Sequence, residues 1–144
     1  MRPARSVRAI LVAILPVVLL TACGPAATPT PAGQPLTSAD QIVGVWQTFN
    51  PHCDPGYMLI RPDGTYSWAC SKDGTDQGLS GRYSLDGSRL VIANDLCQGG
   101  EFEARLVQGA GQNKSLAFTV IKDDCSGEVD IMTKQPFLWV GSLP

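Results

Sequence analysis

Between residues 43 and 140 the apolar side chains come in short runs, some alternating with polar residues, broken by turn formers every eight to twelve positions. A period of two over segments this short is the pattern of half-buried strands. It predicts strands at roughly 43–48, 57–61, 65–71, 79–84, 88–93, 101–107, 115–121 and 128–134, with 137–140 as a candidate last strand. The expected fold class is all-β. Eight antiparallel strands joined by short connections suggest an up-and-down meander closing into a small barrel, the arrangement that leaves no exposed sheet edge. An open β-sandwich is the alternative.

The turns sharpen this pattern. Pro62-Asp63-Gly64 fits a three-residue hairpin, Pro fixing the first position and Gly taking the left-handed one, and Leu85-Asp86-Gly87 looks similar. With that first turn, Met58 and Ile60 share a face with Tyr66 and Trp68, while Thr65, Ser67 and Ser71 face water. A two-residue turn would instead turn Tyr57 and Leu59 inward, because one step of register flips a strand. Ahead of the first strand, Ser38 stands three residues before Gln41, the spacing of a reciprocal capping box that starts one helical turn.

The first 36 residues follow a different rule. Arg2, Arg5 and Arg8 precede an apolar run from Ala9 to Leu20, and Leu20-Thr21-Ala22-Cys23 follows. Twelve apolar residues are too few to span a bilayer, which takes roughly 20. The stretch resembles the lipobox of bacterial lipoproteins, in which the leader is cut before the Cys and the thiol carries the lipid. That resemblance implies lipidation at Cys23 and an exported protein, held on the extracytoplasmic face of a cell membrane or outer membrane. From Gly24 to Leu36 the composition is Pro, Ala, Thr and Gly without charge or aromatic residues, which reads as a flexible tether. The expected organisation is a signal peptide over 1–22, a lipid-anchored linker over 23–37 and one small domain over 38–144.

Losing Arg2, Arg5 and Arg8 leaves eight basic against thirteen acidic groups, a net of minus five. Such a chain is a poor match for nucleic acid, because nothing could neutralise a row of phosphates. Export also changes how the cysteines read: with Cys23 set aside, Cys53, Cys70, Cys97 and Cys125 form an even set in a compartment that permits disulfides. No Cys-x-x-Cys pair occurs and His52 is the only histidine, so no metal or other cofactor is expected. Either hairpin register sets Cys70 opposite residue 55 or 56, near Cys53, which leaves Cys97 to pair with Cys125.

A capped turn, then Gly44-x-Trp46 on the first strand, then a meander of about eight strands resembles the lipocalin family, and more closely the short lipocalin-like domains of bacterial lipoproteins. The Thr-Asp-Tyr element and the late-strand Arg of full lipocalins have no clear match. The resemblance implies that Trp46 plugs the closed end and that Gly44 lets the backbone pass close by. Tyr66, Trp68, Tyr83, Leu90, Ile92, Phe102, Phe118, Val120 and Ile131 are the expected interior. Whether they fill the barrel or wall a cavity is open, since both occur in eight-stranded barrels.

Two functions fit. The first is binding of a small, mainly apolar, neutral or cationic ligand, with Met58, Tyr66, Trp68, Tyr83, Phe102 and Phe118 as the ligand-binding set. The second is a non-catalytic envelope protein with a filled barrel that meets a protein partner at its rim. In a meander alternate loops share one end, and that end collects Asp54, Asp73, Asp76, Asp95, Glu101, Asp123, Asp124 and Glu128 against Lys72 and Lys122. An acidic mouth disfavours anionic ligands. No nucleophile elbow, phosphate loop or metal helix is visible, so no catalytic residue is assigned. A monomer is expected.

Overall fold

The computed structural model describes residues 33–97, 99–108 and 113–144, so the leader, Cys23 and most of the linker lie outside the described residues. The strands are β1 (Gln34–Pro35), β2 (Gly44–Thr48), β3 (Gly56–Ile60), β4 (Thr65–Ala69), β5 (Gln77–Asp86), β6 (Arg89–Asn94), β7 (Gly100–Gln108), β8 (Lys114–Lys122) and β9 (Phe137–Gly141). A 3-10 turn (Ala39–Gln41) precedes β2, and the helix α1 (Ser126–Thr133) lies between β8 and β9. From β2 to β8 each strand pairs with the next, and β9 pairs with both β8 and β2. The result is a closed eight-stranded antiparallel barrel, consistent with a lipocalin-like fold.

The turn chemistry sets the register. Around Pro62-Asp63-Gly64 the Arg61 N–H donates to the Thr65 carbonyl at 2.9 Å, and Gly64 sits at φ 80°. Met58 therefore faces Trp68 and Ile60 faces Tyr66, as the three-residue reading requires. The second hairpin is tighter than expected. Asp86 pairs with Arg89, leaving only Gly87 and Ser88 in the turn, with Gly87 at φ 57° supplying the left-handed position such a loop needs. Ahead of β2, Ser38 forms the full capping box with Gln41, and the Trp46 indole donates to the Ile42 carbonyl at 2.7 Å.

Two apolar layers form. The interior gathers Leu36, Ile42, Trp46, Met58, Ile60, Tyr66, Trp68, Leu90, Ile92, Phe102, Leu116, Phe118, Met132 and Phe137. Outside the barrel, Val45, Leu59 and Ala69 make a smaller cluster with Tyr57 and Leu143. Gly74, buried in the β4–β5 loop, brings that loop against Leu59, where a β-carbon would crowd the leucine.

Four further expectations change. The segment 128–134 is not a strand but most of α1. Its alternating Val129, Ile131 and Thr133 mimic a strand. Asp123, however, accepts the Cys125 N–H at 2.7 Å, and Cys125 stands extended as N-cap, so the chain turns into a helix there. Glu128 and Met132, four apart, then share the buried face. Pro136 disfavours helix in the residue before it, and 137–141 becomes the closing strand.

The fold also starts earlier than residue 38. Gln34 and Pro35 pair with Leu106 and Arg105 on β7, and Leu36 is 2% exposed. They add a short piece to the β7 edge beyond the last residue that β6 pairs, Arg89 with Glu103. Ser67 does not face water either, being wholly buried on the outer side and accepting a hydrogen bond from Arg61 at 3.1 Å. Finally, Val120 is 41% exposed, because β9 pairs with β8 only at Ser115 and Leu116 and leaves its upper part uncovered.

Candidate functional site

Five of the six residues expected to hold a ligand, Met58, Tyr66, Trp68, Phe102 and Phe118, are buried members of the interior cluster, and the sixth, Tyr83, packs against it half-buried. Their rings meet edge to face: Tyr66 with Trp68 at 6.3 Å, Trp68 with Phe137 at 5.8 Å and Phe118 with Phe137 at 4.9 Å between centroids. Such contacts add cohesion beyond the buried area. The Tyr83 hydroxyl donates to the Arg61 carbonyl at 2.7 Å, tying it to the first hairpin. These residues belong to one packed apolar cluster.

The polar end is built by the β2–β3, β4–β5 and β6–β7 loops and by the segment carrying α1. Both expected disulfides are present there, Cys53–Cys70 and Cys97–Cys125, with Cα separations of 5.6 and 5.9 Å. Asp54, Asp76, Asp95 and Asp124 are exposed, and α1 adds Asp130. Three of the expected acids serve elsewhere. Asp73 lies over the outer face in a recess with Leu59, Asp63 and Leu143, Glu101 pairs with Arg89, and Glu128 is 6% exposed. The Lys134 ammonium stands 3.6 Å from the Phe49 ring centre at the same end.

Glu128 caps the interior. Asn94 donates to the Tyr66 hydroxyl at 3.0 Å and to Glu128 Oε1 at 3.4 Å, while its own oxygen accepts the Leu96 and Cys97 N–H groups. Glu128 Oε2 and Asp123 Oδ2 are buried without a hydrogen-bond partner. Burial, with Asp123 alongside, pushes the Glu128 carboxyl up to about 7, and burial pushes the Tyr66 hydroxyl up to about 12. Sequence reasoning placed Glu128 among exposed acids because a strand register hid its i, i+4 relation to Met132. Beside this cap a recess of about 500 Å³ opens, lined by Leu96, Lys122, Asp123, Asp124 and the Cys97–Cys125 bridge. Leu96 is 79% exposed at its edge.

The four domain cysteines are consumed in bridges, so although Cys97, Cys125 and Glu128 present ligand atoms within 4.8 Å of one another, neither sulfur is a thiolate donor. His52 is exposed in the β2–β3 loop, its backbone N–H held by Asn50 at 2.9 Å. Among the described residues no helix is long and apolar enough to cross a membrane. Comparison with family models, characterised proteins and solved structures finds no match.

Proposed function

We propose that the chain is a non-catalytic interaction protein of the bacterial envelope, held at the extracytoplasmic face by lipid on Cys23. A filled lipocalin-like barrel would present its acidic loop rim to a basic protein partner. The observation that carries this reading is the packing of Tyr66, Trp68, Phe118 and Phe137 against one another in one apolar cluster, which supports a filled interior. The rim supports it further. Asp54, Asp76, Asp95, Asp124 and Asp130 are exposed there, and the two bridges brace the loops that carry several of them. A recess lined by one exposed leucine and by two acids against the single Lys122 suits a basic side chain with an apolar stem.

The test is a paired titration of the full chain in non-ionic detergent with an oligolysine peptide and with an apolar fluorescent probe. The proposal expects peptide binding that weakens with salt, because exposed charges are screened over about 10 Å at 0.1 M. Asp95→Asn with Asp124→Asn should weaken it further. Saturable probe binding at one site that quenches tryptophan, without peptide binding, would establish the small apolar ligand instead. The anchor is tested separately: Cys23→Ala should lose membrane association or accumulate uncleaved.

A further inference from the structure

The outer wall of the barrel carries a polar groove that ends at the rim acid Asp95. Its composition follows from register. The Arg61 N–H bonds the Thr65 carbonyl, and Thr65 pairs with Arg82. Directly opposed residues share a face of a sheet, so Arg61, Thr65 and Arg82 stand in one row across three neighbouring chain segments. In the next row Ser67 pairs with Ser80. With neighbouring strands about 4.8 Å apart, the two arginine α-carbons are roughly 10 Å apart. Thr65 stands between them in the row, and Ser80 lines the groove beside it.

The groove measures about 570 Å³ and also takes in Gly81, Asn94 and Asp95. Gly81 lets the β5 and β6 backbones and the Tyr66 ring pack closely at its base, because a β-carbon there would collide with the Ala93 carbonyl and crowd that ring. The Arg61 guanidinium is already oriented, donating from Nη1 to the buried Ser67 hydroxyl at 3.1 Å. Among the described residues the ion pairs are Arg89–Glu101 and Arg105–Glu103, and neither Arg61 nor Arg82 takes part in one. Thirteen acids are available in this chain. Two neighbouring arginines without an ion-pair partner, with Thr65 and Ser80 beside them, are the donor set for an oxyanion, which guanidinium forks bind in two-point fashion. Asp63 lies within the field of Arg61 but is engaged by Thr65, which donates to it from both its N–H and its hydroxyl. Asp95, at the far end, disfavours a second negative charge there.

We propose that this groove binds a hydroxylated small molecule through its carboxylate or phosphate, clamped between Arg61 and Arg82, with the neutral remainder lying towards Asn94 and Asp95. The proposal goes beyond the rim interaction and depends on neither the anchor nor the protein partner.

The probes are glucuronate, inorganic phosphate and glucose, titrated at low ionic strength into the full chain in non-ionic detergent. Backbone amide shifts of Thr65, Ser67, Ser80 and Arg82 give the readout. Glucuronate and phosphate should give saturable shifts there and glucose none. Saturation by one anion alone still supports the site and names its class. Arg82→Gln should weaken binding about tenfold or more, since a hydrogen bond to a charged group is lost, and adding Arg61→Gln should abolish saturation. Arg89→Gln, whose side chain is paired with Glu101, should leave binding unchanged. Linear shifts with all three probes, or saturation unaltered in Arg82→Gln, would overturn the proposal. If Arg61→Gln loses native tryptophan fluorescence, the titration of Arg82→Gln, an exposed position, decides alone.

Discussion

The indole of Trp139 lies against the α-carbon of Gly44, so closely that a β-carbon at position 44 would collide with the ring. Gly44 also sits at φ 143°, where L side chains are rare. The two residues lie on strands that close the barrel, and Trp139 in turn meets Trp46 edge to face at 5.0 Å. Gly44→Ala should therefore cost about 3 kcal/mol or more, combining backbone strain with overpacking. Adding Trp139→Leu should recover only the overpacking share. Urea denaturation of the four proteins in this cycle measures the coupling, and independent, additive effects would show that the ring contact is not the cause.

Glu128 makes stability depend on pH in an unusual direction. Its carboxyl is raised to about 7, so between its ordinary value near 4.5 and 7 the folded chain binds more protons than the unfolded one. Stability then falls as pH rises through that window and levels off above it. The expected loss from pH 5 to pH 8 is of order 1 to 3 kcal/mol. Asp63, Asp73 and Asp76 are held low by hydrogen bonds from Thr65 or Ser71, so their stabilisation is lost only at lower pH. Denaturant titrations at pH 5 and pH 8 check the sign. Glu128→Gln should remove most of the difference, and a wild type more stable at pH 8 would contradict the buried-carboxyl account.

The two disulfides should not be equivalent in what they hold. The sequence separations are 17 and 28, and loops of this length contribute roughly 3 to 4 kcal/mol in the chain-entropy model. Removing Cys97 and Cys125 together should also loosen the start of α1, because Cys125 is its N-cap. Amide exchange should therefore speed up at Glu128 and Val129, whose N–H groups bond the Cys125 carbonyl. Replacing Cys53 and Cys70 should leave those amides protected. Equal exchange in both double variants would show that the bridge does not brace the helix.

Much of the barrel was legible because local signals and tertiary demand agree. Pro62-Asp63-Gly64 specified a turn, the turn specified register, and register put Met58 opposite Trp68 and Cys70 within reach of Cys53. Leu36 was illegible because one apolar residue in a Pro, Ala and Thr segment carries no period; only the free edge of β7 gives it a place. Residues 128–134 misled because β-branched alternation scores as strand, whereas the helix is set by Asp123, the Cys97 bridge and the buried pair Glu128 and Met132. The Arg61–Thr65–Arg82 row depends on pairing between Thr65 and Arg82, 17 apart in sequence. No linear motif marks it.

Whether the barrel is filled can be tested by emptying it. Phe118 is 7% exposed, faces Ala104 across the β7–β8 ladder and stacks edge to face on Phe137. Phe118→Ala should cost about 3 to 5 kcal/mol and leave an apolar void lined by its former neighbours. Such a void stays dry and accepts benzene-sized molecules. Benzene should therefore raise the melting temperature of Phe118→Ala, gaining about 1.4 kcal/mol at ten times its Kd. The wild type should not respond. The comparison is best made at pH 5, where a neutral Glu128 adds stability and keeps the variant folded. A wild type stabilised by benzene as strongly as the variant would mean that a ready apolar site already exists among these aromatics, and the ligand-binding reading would then displace the rim as the seat of function.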